Sequence, residues 1–378
     1  MPARIKLIIL SLACFCLLHL DVKKALGETP IAVKTVFVIL MENHDWSDGL
    51  NGILGTTNCA YINNTLLPKA SYCSQYYNPP GNHPSEPNYL WLEGGSNFGI
   101  TDDNPANRVA STNHLTTLLN KSNISWKSYQ QDMVSDPLVD QNNYVVRHDP
   151  MVFFNDVNGN VAYMNAHVRP YTEFATDLLN NTVARYNFIT PNLTNDMHNP
   201  ACSGCSARVS GDHWLSLEIP KIMVSAAYTN SGAIFITWDE GKAADGPIGL
   251  IVLSPLAKGH GYSNTNHYNH GSTLRTMQNI FGVRPYLGDA ANVTDLSDLF
   301  VAAVVPPKPP GFRSATLDSG SIYLAATNAI IGTTNYIQTS SNLTNWTTLF
   351  FTVPTSTTFS FSAAVNPTNL FFRIKQGP

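Results

Sequence analysis

The stretch VFVILMENHDWSDG, Val36 to Gly49, runs six apolar residues straight into four polar ones. The apolar part, Val36 to Met41, has the length and composition of a strand buried on both faces, the kind that fills the middle of a parallel sheet. In open α/β sheets, ligands bind in the crevice outside the carboxyl ends of the strands. Glu42, Asn43, His44 and Asp45 therefore stand either in a solvated turn or at a site, and the remaining sequence decides between the two.

A second stretch repeats the pattern. AIFITW, Ala233 to Trp238, is another continuous apolar run, and it ends in Asp239, Glu240 and Gly241. A third run, IGLIVL, spans Ile248 to Leu253. Helical patterns lie between and after these strands. PNYLWLEGG has Pro87 in its first turn, and STNHLTTLLNK has Ser111 or Thr112 as its cap. DHWLSLEIPKIMVSAAY predicts a helix kinked or broken at Pro220, and GSTLRTMQNIFG one stopped by Gly282. Strands alternating with helices predict an α/β fold, a mostly parallel sheet with helices on both faces. In such a sheet both acidic strand ends fall on one edge, where Glu42, Asn43, Asp239 and Glu240 converge. Three carboxylates brought together repel one another unless a cation sits among them. An all-oxygen donor set suits a hard divalent ion, so Mg, Ca or Mn is expected rather than Zn.

Composition narrows the class. Of 378 residues, 43% are apolar and 13% charged, and the formal charge is −4. There is no basic stretch suited to nucleic acid, which is not an expected partner. Arg4 and Lys6 precede LIILSLACFCLLHL, a 14-residue apolar run too short for a comfortable membrane span. Ala25-Leu26-Gly27 supplies a small-x-small cleavage site, so residues 1–27 read as a signal peptide, with a lipoprotein anchor at Cys14 as the alternative. The protein is expected to be secreted or periplasmic, without a stable membrane anchor. Cys59, Cys73, Cys202 and Cys205 remain after cleavage. An even count in an exported chain predicts two disulfides, and proximity pairs Cys59 with Cys73 and Cys202 with Cys205. The spacing fits a zinc site poorly.

The texture changes near residue 305. VVPPKPPGF, Val304 to Phe312, reads as a stiff Pro-rich linker, assigned to residues 305–312. Beyond it, SIYLAA, NYIQTSS, WTTLFFTV, TTFSFSA and NLFFRIK predict a small all-β domain over 313–378. That segment has neither His nor Cys and receives no catalytic role. The catalytic domain is assigned to 28–304.

Ser85 lies between Pro84 and Pro87, just ahead of a predicted helix. A serine there either caps the helix or is a nucleophile facing an anion that the helix end stabilises. His148, His198 and His270 all sit in polar contexts. A metal, a hydroxyl and several histidines together suit phosphoryl transfer, where positive groups neutralise charge on the equatorial oxygens.

The segments VILMENHDWSD, NHPSEPNYLWLEGG, YVVRHDPMVFFNDV, ITPNLTNDMHN, GDHWLSLEIPKI, ITWDEG and HYNHGSTLRTMQNIFG, in this order, resemble the phosphoesterase family of secreted acid phosphatases and bacterial phospholipases C. The resemblance runs from about Lys34 to about Leu299 and implies an alkaline-phosphatase-like fold. It implies that Glu42 and Asn43 form one metal-binding pair and Asp239 and Glu240 the second. It implies Ser85 as nucleophile, with His148 and His198 binding or protonating the phosphate. His83, Asn88 and His270 are further candidate phosphate-binding residues. His270 opens Asn269-His270-Gly271-Ser272, where related enzymes have Asp-His-Thr-Ser. Asn88-Tyr89 after Pro87 is closer to the acid phosphatase branch than to the phospholipases, which show Asn-Arg. YIQTSSNLTNWTTLFFTV with LFFRIK is similar to a small β module at the ends of exported bacterial proteins.

The expected function is an exported, metal-dependent phosphomonoesterase that acts on phosphate esters, phospholipids or phosphoinositides among them, through a phosphorylated Ser85. A phospholipase C-type phosphodiesterase on the same site is the alternative. A non-catalytic binding protein working through its β module is a third reading, and the intact Ser85 and carboxylates stand against it.

Overall fold

The computed structural model describes residues 31–242, 245–302, 310–364 and 371–376. The segment read as a signal peptide and most of the Pro-rich linker lie outside them. The chain divides into two compact units between residues 303 and 304.

The first unit carries β1 (Thr35–Met41), β2 (Ser71–Cys73), β3 (Tyr76–Tyr77), β4 (Trp126–Gln130), β5 (Val168–Pro170), β6 (Tyr186–Thr190), β7 (Gly232–Trp238), β8 (Leu250–Leu253), β9 (Tyr262–Asn264) and β10 (Tyr268–Asn269). Eight of these form one sheet in the order β5-β4-β6-β1-β7-β8-β2-β9, and β3 pairs with β10. From β5 to β7 every pairing is parallel. β8 then runs antiparallel to β7, because the connection 239–249 is too short for the crossover that a parallel partner needs. The sheet is therefore mostly parallel with a mixed edge. β6 and β7 are buried throughout, and β1 beyond Thr35, so both faces of the sheet centre are covered, as the apolar runs predicted.

The helices are α1 (Ser85–Gly94), α2 (Leu115–Lys121), α3 (Asn155–Asn158), α4 (Val161–His167), α5 (Phe174–Asn180), α6 (Ala207–Met223), α7 (Ala226–Thr229) and α8 (His270–Phe281). None of the described helices is long and apolar enough to cross a membrane. α1 and α8 start and stop where their proline and glycine signals put them. α2 starts after His114 rather than after Ser111 or Thr112: the His114 ring is bonded between Glu93 and Asp156 and makes no cap itself, and Glu93 accepts the Thr116 N–H at 2.7 Å. α6 continues through Pro220 to Met223, so the predicted break falls a few residues later. Only the final turn is affected, and a proline there removes a single hydrogen bond.

Two further expectations are corrected. Cys202 and Cys205 are bonded, but Cys59 and Cys73 are free buried thiols. Cys59 lies toward Asp212 and Arg208 of α6, whereas Cys73 is locked in β2 between Leu250 and Asn264. Burial pushes the Cys59 thiol up to about 12 and raises Cys73 as well, so both stay protonated. In the second unit, Gly311 and Phe312 do not close the linker but open a strand. That unit contains β11 (Gly311–Asp318), β12 (Ser321–Thr327), β13 (Asn335–Ser340), β14 (Thr347–Thr352), β15 (Thr358–Ala364) and β16 (Phe371–Gln376). They form two antiparallel sheets, β11-β12-β15 and β14-β13-β16, with Ile322, Leu324 and Ile337 buried.

Gly249 connects the opening stretch to the sheet edge. Its φ is +73°, and a Cβ there would fall inside the ring of Trp46. Gly249→Ala combines a left-handed backbone, which costs about 1–2 kcal/mol, with overpacking worth about 1–3 kcal/mol. Urea unfolding is expected to show a loss of at least about 2 kcal/mol. A change below about 0.5 kcal/mol would contradict this packing.

Candidate active site

The site begins with strand register. β1 and β7 are parallel with Met41 opposite Trp238, so the next residues, Glu42 and Asp239, leave the sheet side by side. β6 flanks β1 on the other side, and the loop after it brings in Asp196, whose carbonyl accepts the Glu42 N–H at 2.7 Å. Glu42, Asp196 and Asp239 are all fully buried. Burial raises the Glu42 carboxyl well above its ordinary range, and the charges of Asp239 and Asp196 add to the rise. Asp196 is raised by burial too, and Asp239 is pushed up to about 6.

One face of α1 meets this cluster. Ser85, Asn88 and Tyr89 sit at i, i+3 and i+4, the spacing that puts side chains on one side of a helix. Ser85 Oγ donates to Glu42 Oε2 at 3.1 Å, and the Tyr89 hydroxyl donates to Oε1 at 2.5 Å. His148 stacks on Tyr89, with ring centroids 4.9 Å apart and planes 1° from parallel. Its Nε2 lies 3.2 Å from Glu42 Oε1 and its Nδ1 3.6 Å from Asp196 Oδ2. Burial holds the imidazole well below its usual pKa, so it is neutral.

Asn43 takes a left-handed backbone, φ +32°, which side chains other than glycine adopt only when the surroundings hold them there. Its N–H donates to Asp239 Oδ1 at 3.0 Å, and its Nδ2 donates to Glu240 Oε1 at 2.8 Å. The other Glu240 oxygen takes Asn88 Nδ2 at 3.1 Å and His83 Nδ1 at 2.5 Å. His83 Nε2 reaches Asp245 at 2.7 Å. Glu240, expected beside Asp239 as a metal ligand, thus has both oxygens engaged and ties the β7 end to the start of α1. Burial, then the Asp239 charge, pushes it up to about 7.

His270 is fully buried, with Nε2 bonded to the Asp239 carbonyl at 2.6 Å and Nδ1 to the Tyr76 hydroxyl at 3.1 Å. It supports the end of β7 from behind. His198 is exposed; its N–H donates to Asp196 Oδ1 at 2.7 Å, and its Nδ1 meets Asn199 Oδ1 at 2.9 Å. Two residues of the cluster, Asp196 and Tyr89, escape sequence reasoning. The available signal for Tyr89 is its spacing from Ser85 on the predicted helix. For Asp196 it is a place behind the strand YNFIT, whose polar residues disguise it.

Among the described residues, Asn43 Oδ1, Asp196 Oδ2, Asp239 Oδ2 and His148 Nε2 have no hydrogen-bond partner. Each such buried atom costs about 1–3 kcal/mol if it stays unpaired. Orphan acceptors around three mutually repelling acids fit a cation. Glu42, His148 and Asp196 offer ligand atoms within 4.8 Å of one another and can hold one.

A model of the phosphoesterase family matches residues 57–284, which include Ser85, His148, Asp196 and Asp239. The chain is 30% identical over 219 residues to a phosphate-repressible acid phosphatase of Penicillium chrysogenum, covering 54% of this chain and 51% of that one. It is 26% identical over 270 residues to a phosphatidylinositol-3-phosphatase of Mycobacterium tuberculosis, covering 70% of this chain and 82% of that one. A solved protein of the alkaline phosphatase superfamily from Vibrio parahaemolyticus aligns with a TM-score of 0.46 and 9% identity, over 85% of this chain and 84% of that one. The chain spans about half the length of the Penicillium relative. With the family match covering more than half of its residues, the chain belongs to the phosphoesterase family.

Proposed function

We propose that this chain is an exported, metal-dependent phosphomonoesterase of the acid phosphatase type, with Ser85 as its nucleophile. One observation carries the reading: Ser85 Oγ, at the first position of α1, donates to Glu42 Oε2 at 3.1 Å inside a buried cluster of acids with orphan oxygens. The positive end of the α1 dipole favours a phosphate in front of that serine.

Ser85 Oγ attacks phosphorus, and its proton has an acceptor already in place on Glu42. The Oγ–P bond forms as the bond from phosphorus to the ester oxygen breaks. That oxygen takes a proton and leaves as the alcohol. His198 supplies the proton: its side chain is exposed, Asn199 engages Nδ1, and Nε2 is assigned to the leaving oxygen. His148, neutral and stacked on Tyr89, lies beside Glu42 and Asp196 as a ligand candidate for the cation rather than serving as the acid. Water then adds to phosphorus, the Oγ–P bond breaks, and inorganic phosphate is released. A divalent cation held by Glu42, His148 and Asp196, with Asn43 and Asp239 beside them, would supply the positive charge that lowers the serine pKa and neutralises the phosphoryl oxygens.

The segment read as a signal peptide and the Cys202–Cys205 bond support an oxidising, extracytoplasmic location. The substrate class is phosphate monoesters, and the name of the mycobacterial relative supports including phosphoinositides.

Ser85→Ala is expected to cut turnover by several powers of ten, while its unfolding free energy changes by no more than the loss of the hydrogen bond to Glu42, about 1–3 kcal/mol. A phosphorylated Ser85 is expected in acid-quenched wild type. Near-normal turnover of Ser85→Ala would refute the covalent route. The acids also predict a linkage. Asp239 at about 6 and Glu240 at about 7 lie above the values of roughly 4 for an unfolded chain. The native state then binds protons more tightly, so stability of the metal-free protein falls as pH rises from about 4 through 7. Between pH ~5 and ~8 the melting temperature of chelated protein is expected to drop more steeply than that of protein saturated with Mn. Parallel curves would show that no cation compensates this cluster.

A further inference from the structure

Beside the acid cluster lies a cavity of about 480 Å³, within the range of small-molecule sites. It shares Asn43 and His198 with the site described above, and Ser85 does not line it. His44 also lines it. That side chain is 5% exposed, and among the described residues neither of its ring nitrogens has a hydrogen-bond partner. The Met197 carbonyl lies near the ring without reaching hydrogen-bond geometry. An imidazole buried with both nitrogens unpaired is costly unless a ligand completes it.

We propose that this cavity is the leaving-group pocket and that His44 is a specificity residue which binds a hydroxyl of a polyhydroxylated alcohol. The inference rests on the phosphomonoesterase reading. The leaving oxygen must sit where its proton donor is, and His198 lines the cavity, so the alcohol portion of the ester extends into it. The lining then states what that portion is. In the lining Asp45 and Asp48 offset Arg208 and Lys242, so apart from His198, whose proton goes to the ester oxygen, the walls favour neither a second phosphate nor an ammonium group. Among its described lining residues there is no Phe, Tyr or Trp on which an aryl group would stack. Donors and acceptors without net charge match hydroxyl groups, as on a sugar alcohol, glycerol or inositol. A site built to bond a hydroxyl discriminates strongly against the analogue that lacks it, because its own polar groups are left unpaired.

The test compares two primary alkyl monoesters, sorbitol 6-phosphate and hexyl phosphate, on wild type, His44→Phe and His44→Gln loaded with Mn, each variant's ratio being read against that of wild type so that the better polyol leaving group cancels. Wild type is expected to favour the sorbitol ester at least tenfold in kcat/KM. His44→Phe keeps the bulk and loses both nitrogens, and is expected to lower that ratio by about 10–100-fold. His44→Gln, which retains a donor and an acceptor, is expected to recover part of it. A ratio near one in wild type, or equal losses on both esters in His44→Phe, would overturn the proposal. A second measurement needs no variant: sorbitol is expected to inhibit wild type as a product, and hexanol is not. Equal inhibition by both would overturn it as well. Should wild type hydrolyse neither ester, the phosphomonoesterase reading itself fails and this inference falls with it.

Discussion

The parallel pairing of β1 with β7 is the constraint on which the rest of the site depends. Because Met41 lies opposite Trp238, Glu42 and Asp239 cannot move apart without shifting a whole strand, and every side chain would change face in a one-residue slip. Two carboxylate charges about 4 Å apart repel by about 4 kcal/mol even at an effective dielectric of ~20. Asp196 adds a third. The chain meets this load in two ways. Tyr89, Ser85 and the Asn43 backbone donate hydrogen bonds to the acids. The oxygens that remain orphaned point to a cation.

The serine has to be held as firmly as the acids, and α1 is gripped at both ends. Its first turn is tied to Glu42 through Ser85 and to Glu240 through Asn88. At the far end, Glu93 bonds the buried His114 ring at 2.8 Å, and Asp156 takes the other nitrogen at 2.9 Å. Burial lowers the His114 pKa, but the hydrogen bonds to Asp156 and Glu93 outweigh it and hold the ring above its usual value. A charged imidazole between two carboxylates thus anchors the end of the helix away from Ser85. Breaking one partner of such a buried set leaves an uncompensated charge, so the anchor resists piecemeal loosening.

Much of this is legible in the residues, for identifiable reasons. β1 and β7 are continuous apolar runs, and each leads directly into acidic residues, so Glu42, Asn43 and Asp239 group together before any geometry is known. Ser85 is legible from its prolines and the helix behind it. β4 and β6 are not, because WKSYQ and YNFIT carry polar residues that read as loop. In the fold those side chains are buried and satisfied locally: Gln130 bonds Ser128 and Thr190, and Asn187 bonds the carbonyls of Val36 and Ala184. Missing β6 means missing Asp196 behind it. The engagement of both Glu240 oxygens by Asn43, Asn88 and His83 depends on side-chain direction, which strand periodicity does not carry. The same gap explains Cys59 and Cys73, whose separation permits a bond but says nothing of which way each thiol faces.

The central claim is that three strand ends converge to hold one cation in front of Ser85. Anomalous diffraction at the manganese edge, from crystals grown with Mn and inorganic phosphate, tests it most directly. The account predicts an anomalous peak bounded by Glu42, Asp196, His148, Asn43 and Asp239, with phosphate beside both it and Ser85 Oγ. A cluster filled by water alone, with phosphate or manganese bound elsewhere, would contradict it.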